Sequence, residues 1–166
     1  AILLALVGTL GWLVAPSYIA TFRPDLQDLQ TLRFSPNATG GYDVSEVDFH
    51  FERALGEKVE AQTLDENGNH RVAFAFPFYG ETYTEVYAHH SGIISLGETF
   101  QPLNLEAAVA RIPNLFPLRT KLSPNPDEAD SGLYVRLEPE RLIITWNRLL
   151  ASQPDARYTF QTVLYA

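Results

Sequence analysis

A chain of 166 residues, 46% of them hydrophobic and 12% aromatic, has room for one domain with a sizeable core, which excludes a disordered chain. Its net charge of −8, from 12 basic and 20 acidic side chains, repels phosphate backbones and argues against nucleic acid as a partner. With no Cys, it has no disulfides, thiolate metal sites or Cys nucleophiles.

No Met stands at position 1, so the sequence is expected to continue upstream. Every charged side chain lies at or after Arg23. Residues 1–22 are therefore uncharged, and a bilayer core needs roughly 20 apolar residues in a helix. The strongest stretch is 1–15, ended by Pro16, with Trp12 and Tyr18 placed for an interfacial aromatic belt. A secretory h-region and a buried core helix are the competing readings. The favoured one is a single N-terminal transmembrane anchor built on Leu3, Leu4, Leu6, Val7, Leu10, Trp12, Leu13 and Val14, in contact with lipid.

Residues 23–41 read as a linker. Leu26, Leu29 and Leu32 are spaced by three after Pro24, which predicts a short amphipathic helix. Ser35-Pro36-Asn37 and Gly40-Gly41 then break it. Asn37-Ala38-Thr39 matches a glycosylation acceptor, a motif so frequent that chance explains it better.

From 42 to 166 the period becomes two. Val47, Phe49 and Phe51 share one face of a predicted half-buried strand. After a turn at 65–69, Val72, Phe74, Phe76 and Phe78 repeat the pattern, and Pro77 makes that strand an edge or ends its pairing. Strands are predicted over 83–88 and 92–96, over 133–137 and 142–146 around a tight turn, and over 158–165. A short helix is predicted over 105–112. The fold class is mainly β, an antiparallel β-sandwich preceded by the single transmembrane helix.

Several pieces fall in a familiar order. Phe76-Pro77-Phe78-Tyr79-Gly80 is followed by Ser91-Gly92-Ile93-Ile94-Ser95-Leu96-Gly97, then by Ile143-Ile144-Thr145-Trp146, then by Phe160-Gln161-Thr162-Val163-Leu164. Over residues 70–166 this resembles the nidogen/tectorin-type extracellular domains and similar domains of bacterial envelope proteins. The resemblance implies an extracellular β-rich module used in adhesion, matrix assembly or sensing, and does not imply an enzyme. Two departures stand out. The family has an aromatic and an acidic residue after its Pro-Leu, where this chain has Arg119, Thr120 and Lys121 after Pro117-Leu118. The family pattern also continues past the Phe-Gln strand with a Gly turn and one more strand, where this sequence stops at Ala166; the expectation is an open edge there, or one covered by another segment or a partner.

No catalytic, cofactor or metal site is expected. His50, His70, His89 and His90 match no metal-ligand spacing, and adjacent His89 and His90 would face opposite sides of a strand. The Asp65-Glu66-Asn67-Gly68-Asn69 run has its Gly at the wrong place for a calcium loop and reads as a hairpin turn. Asp127-Glu128-Ala129-Asp130 reads as a solvated loop, and Ser91 near His90 lacks a nucleophile-elbow motif. The long irregular loop 115–131 is the expected contact surface, with Leu115, Phe116, Arg119, Lys121 and the terminal-strand residue Tyr165 as candidate partner contacts.

These readings favour a non-catalytic accessory subunit of a multi-subunit membrane complex, for instance an energy-transducing or light-harvesting one. The anchor would dock among helices of integral membrane subunits, with the C-terminal domain on the periplasmic or extracellular side of the cell membrane. A sensory input domain and an adhesion module for glycan or matrix are the alternatives.

Overall fold

The computed structural model describes residues 6–7, 29–101, 113–118, 120, 122–151 and 157–166. Twelve strands are named here in chain order. They are β1 (Leu6–Val7), β2 (Thr31–Pro36), β3 (Tyr42–Val47), β4 (Glu57–Lys58), β5 (Asn69–Phe78), β6 (Glu81–His89), β7 (Ile93–Leu96), β8 (Asn114–Leu115), β9 (Leu122–Ser123), β10 (Gly132–Leu137), β11 (Arg141–Ala151) and β12 (Arg157–Tyr165). A 3-10 turn, Ala61–Thr63, follows β4.

All pairings among the described residues are antiparallel. One sheet runs β1-β8-β7-β6-β5, a second runs β12-β11-β10-β4 with β9 also on β11, and β2 and β3 form a separate hairpin. The period-two patterns explain the layering. Val72, Phe74, Phe76 and Phe78 of β5 point inward, as do Leu142, Ile144 and Trp146 of β11, and both sets belong to one apolar cluster. Two sheets sharing one core is the arrangement a β-sandwich requires. Trp146 is fully buried, lies parallel to the Phe160 ring at 4.8 Å, and donates its indole N–H to the carbonyl of His89 on the other sheet at 3.0 Å.

The expected strands over 72–78, 83–88, 92–96, 133–137, 142–146 and 158–165 are present, and β5 is an edge strand as Pro77 suggested. Between β5 and β6 the chain turns on Tyr79-Gly80, with φ of 49° and 82°. Positive φ at both positions is the turn that matches strand twist. Tyr79 tolerates it because edge-on ring contacts to Phe78 at 4.8 Å and to Tyr42 at 5.2 Å hold it, so the family-like FPFYG motif also docks the β2–β3 hairpin.

Other expectations are corrected. Val47 ends its strand, and Phe49, in the segment that follows, is 46% exposed; the β2–β3 hairpin adds its strands to neither large sheet and meets the shared core through Tyr42. Leu32 lies in β2, not on a helix, and Leu29 sits in a turn at φ 62°. Leu6 and Val7 are extended, not helical, pairing with Leu115 and Asn114 at the open edge of β8, whose backbone groups need partners. The rest of the expected anchor (Leu3, Leu4, Leu10, Trp12, Leu13 and Val14), Leu26 and the helix expected over 105–112 lie outside the described residues. Among the described residues no helix is long and apolar enough to cross a membrane.

Gly56, at φ 95°, lets the chain press against β10. A Cβ there would stand 2.4 Å from the Val135 carbonyl oxygen and 2.6 Å from the Arg136 Cβ. Gly56→Ala is expected to cost about 3 kcal/mol, since the neighbours are backbone and Cβ atoms that cannot yield. Gly80→Ala meets open space and is expected to cost only about 1 kcal/mol from its positive φ. Urea denaturation of the two variants side by side checks the difference.

Candidate interaction surface

The start of the expected contact loop is interior, while much of 123–130 is exposed. Leu115 is fully buried in the shared core, and Phe116 is 4% exposed. The apolar pair between Pro113 and Pro117 turns into the interior, so neither residue presents a contact surface. Arg119 and Lys121 lie outside the described residues. Tyr165 is 62% exposed at the end of β12, opposite Arg141.

The acidic loop after β9 is tied down. Glu128 accepts from Arg157 Nε at 2.5 Å and from Arg148 Nη1 at 3.4 Å, and Asp130 pairs with Arg148 at 3.2 Å. Arg148 reaches them from a bulge in β11, at φ 51°, with its N–H donated to Thr159 Oγ1. Among the described residues no group of three or more His, Asp or Glu is arranged to hold a metal ion.

A second cluster clamps the chain between β3 and β4 onto the outer face of β10–β12. Glu52 accepts from Arg136 at 2.8 Å and Arg141 at 2.6 Å, and those side-chain hydrogen bonds hold its carboxyl down to about 2. Glu138 bridges the same two arginines from the β10–β11 turn. Buried Gln161 accepts the Glu52 N–H at 3.0 Å and donates to the Glu52 carbonyl at 3.2 Å and to Thr145 Oγ1 at 2.8 Å.

The third cluster joins two turns. His89 is 3% exposed and stacks on His90 with centroids 4.3 Å apart. The two rings share a side because His90 already lies in the turn, where strand alternation has ended. His89 Nε2 lies 2.7 Å from the Asn67 carbonyl, which makes it the donor, so Nδ1 accepts from the Ser91 N–H at 3.1 Å and the Ser91 hydroxyl at 2.6 Å. Burial first, then the neighbouring His90, pushes its pKa down to about 4. Ser91 and His89 touch as a nucleophile and base would. The third partner, however, is a neutral carbonyl, and so weak a base accepts little proton at neutral pH. Asp65 closes the facing turn. Burial opposes its ionisation, but bonds from the Asn69 and Asn67 N–H groups and the Asn69 amide hold its carboxyl below the usual range.

The remaining feature is a cleft of about 440 Å³ lined by β4, the 3-10 turn, the start of β5 and the end of β10. Val59, Val72 and Val135 give it apolar walls, His70 and Thr63 face it, and Glu57 and Glu60 lie at its rim. His70 Nδ1 is buried without a hydrogen-bond partner. Sequence reasoning missed this cleft. His70 matched no metal-ligand spacing, and β4 is too short to leave a periodic signal.

A sequence model described as NIDO related matches residues 41–166, most of the chain. The chain belongs to the NIDO-related family. The match begins one residue before β3 and takes in the rest of the fold, including the motif Phe76 to Gly80 that carried the resemblance. No curated protein and no solved structure matches the chain significantly. In this NIDO-related domain, β5 and β12 are long edge strands of opposite sheets, ten and nine residues.

Proposed function

We propose that this NIDO-related chain is a membrane-anchored extracytoplasmic interaction module, an accessory subunit that steadies a multi-subunit membrane protein complex. The observation that carries the reading is the pair of long edge strands. Among the described residues neither β5 nor β12 pairs on its outer side, and each therefore offers a row of N–H and C=O groups to a partner strand. The family supports the reading, since nidogen-type domains are extracellular interaction modules. So does the rigidity of the polar clusters: the Glu52, Glu128 and His89 sets tie loops to sheets and present a fixed platform.

The absence of charge over residues 1–22 supports attachment to a membrane, with Leu6 and Val7 held in the sheet and not in a spanning helix. Protease added to intact cells or spheroplasts is expected to remove the domain, while a tag on the upstream side stays protected in a salt-washed membrane pellet. A domain that resists digestion until the cells are lysed, or that washes off the membrane in high salt, overturns the placement.

A further inference from the structure

We propose that the cleft between β4 and β5 receives a basic side chain from an extended partner segment that adds to the outer edge of β5, which is unpaired among the described residues. This deepens the interaction-module reading and rests on it. The geometry comes from strand alternation. In an added strand, the residue opposite His70 or Val72 points to the same side of the sheet as they do. That side is inward, as the burial of Val72 at 7% records, and between the sheets there it meets the cleft. Pro77 confines such pairing to the earlier part of β5.

The chemistry of the walls selects the occupant. An aliphatic stem fits Val59, Val72 and Val135, and the volume of about 440 Å³ holds a long side chain with water. The rim selects charge. Arg71 is paired with Glu85, and Arg136 with Glu52 and Glu138, so both cations are neutralised. Lys58 is drawn away, its ammonium donating to the Ala129 carbonyl at 2.6 Å beside Gly132. Glu57 and Glu60 form no ion pair among the described residues and are exposed. The net field at the mouth is anionic, in a chain of net charge −8, and favours Lys or Arg over Glu or Asp. The unpartnered His70 Nδ1 supplies one further polar contact at the wall.

The test uses the full chain in detergent micelles and two fluorescein-labelled peptides, acetyl-Thr-Val-Lys-Val-Thr-amide and the same peptide with Glu for Lys, followed by anisotropy. The Lys peptide is expected to bind saturably below about 1 mM and the Glu peptide about tenfold more weakly. The double variant Glu57→Gln, Glu60→Gln alters only exposed side chains and keeps the fold, and it is expected to weaken the Lys peptide about threefold or more. The same change is expected to leave the Glu peptide no weaker. Equal binding of both peptides, no saturable binding of the Lys peptide, or indifference to the double variant overturns the assignment. If those results appear while the chain still co-purifies with membrane partners, the cleft assignment falls and the interaction reading stands.

Discussion

Replacing Trp146 with Ala is expected to lower the stability of the domain by about 3–5 kcal/mol. The indole is fully buried, stacks on Phe160, and carries a hydrogen bond from the second sheet to the first. Truncation would open a cavity at the point where both sheets meet, remove the stacking, and leave the His89 carbonyl without that donor. For a domain whose whole stability is of the order of 5–15 kcal/mol, this loss approaches the limit of folding. Trp146→Phe keeps the ring stack and loses the N–H, so it is expected to cost about 1–3 kcal/mol. Urea unfolding followed by far-ultraviolet circular dichroism measures both, and near-equal losses would mean that the hydrogen bond, not the packing, dominates.

Acid is expected to destabilise the fold in two stages. Burial pushes the His89 imidazole down to about 4 in the folded chain, from an ordinary value of 6.5. The unfolded chain therefore binds this proton first as pH falls. Stability from this group is full above pH 6.5, declines between 6.5 and 4, and is lost below. The difference corresponds to roughly 3 kcal/mol. The structural cause is plain. A protonated ring makes Nδ1 a donor, and it can no longer accept from the Ser91 N–H and hydroxyl. Glu52 adds a second stage at lower pH. Its carboxyl is held at about 2 by the two arginines, below the ordinary 4.5, so its contribution is present above pH 4.5 and lost as pH falls toward 2. Urea midpoints between pH 7.5 and 4.5 are expected to drop in the natural chain. In His89→Gln the first stage should be absent, so a drop of the same size in that variant would assign it to other groups.

What could be read beforehand follows from length and period. β5 and the β10–β11 hairpin were legible because inward residues alternate over six or more positions, as in Val72, Phe74, Phe76 and Phe78. The two-residue strands β4, β8 and β9 leave no period to read. Their pairing is decided by which backbone edges lie near, a tertiary fact. Leu115 and Phe116 read as loop residues because two prolines bracket them, yet the core took them in. Leu29 and Leu32 mimicked a helix by spacing alone, and the hairpin with 42–47 overrode it. The cleft joins residues near 57, 71 and 135, three stretches that no local pattern connects. The family, by contrast, was legible in short motifs in a fixed order, and their structural roles are now visible: FPFYG builds the edge strand and its turn, and the Ile-Thr-Trp strand carries the bond between sheets.

The central claim is that this NIDO-related domain works by holding membrane partners. Its most direct test is to extract the chain from its native membrane in mild detergent and identify by mass spectrometry what co-purifies. A fixed stoichiometric set of integral membrane proteins is the predicted result. A chain that emerges alone, or joined only to an output domain of its own, would contradict the account and favour sensing or adhesion.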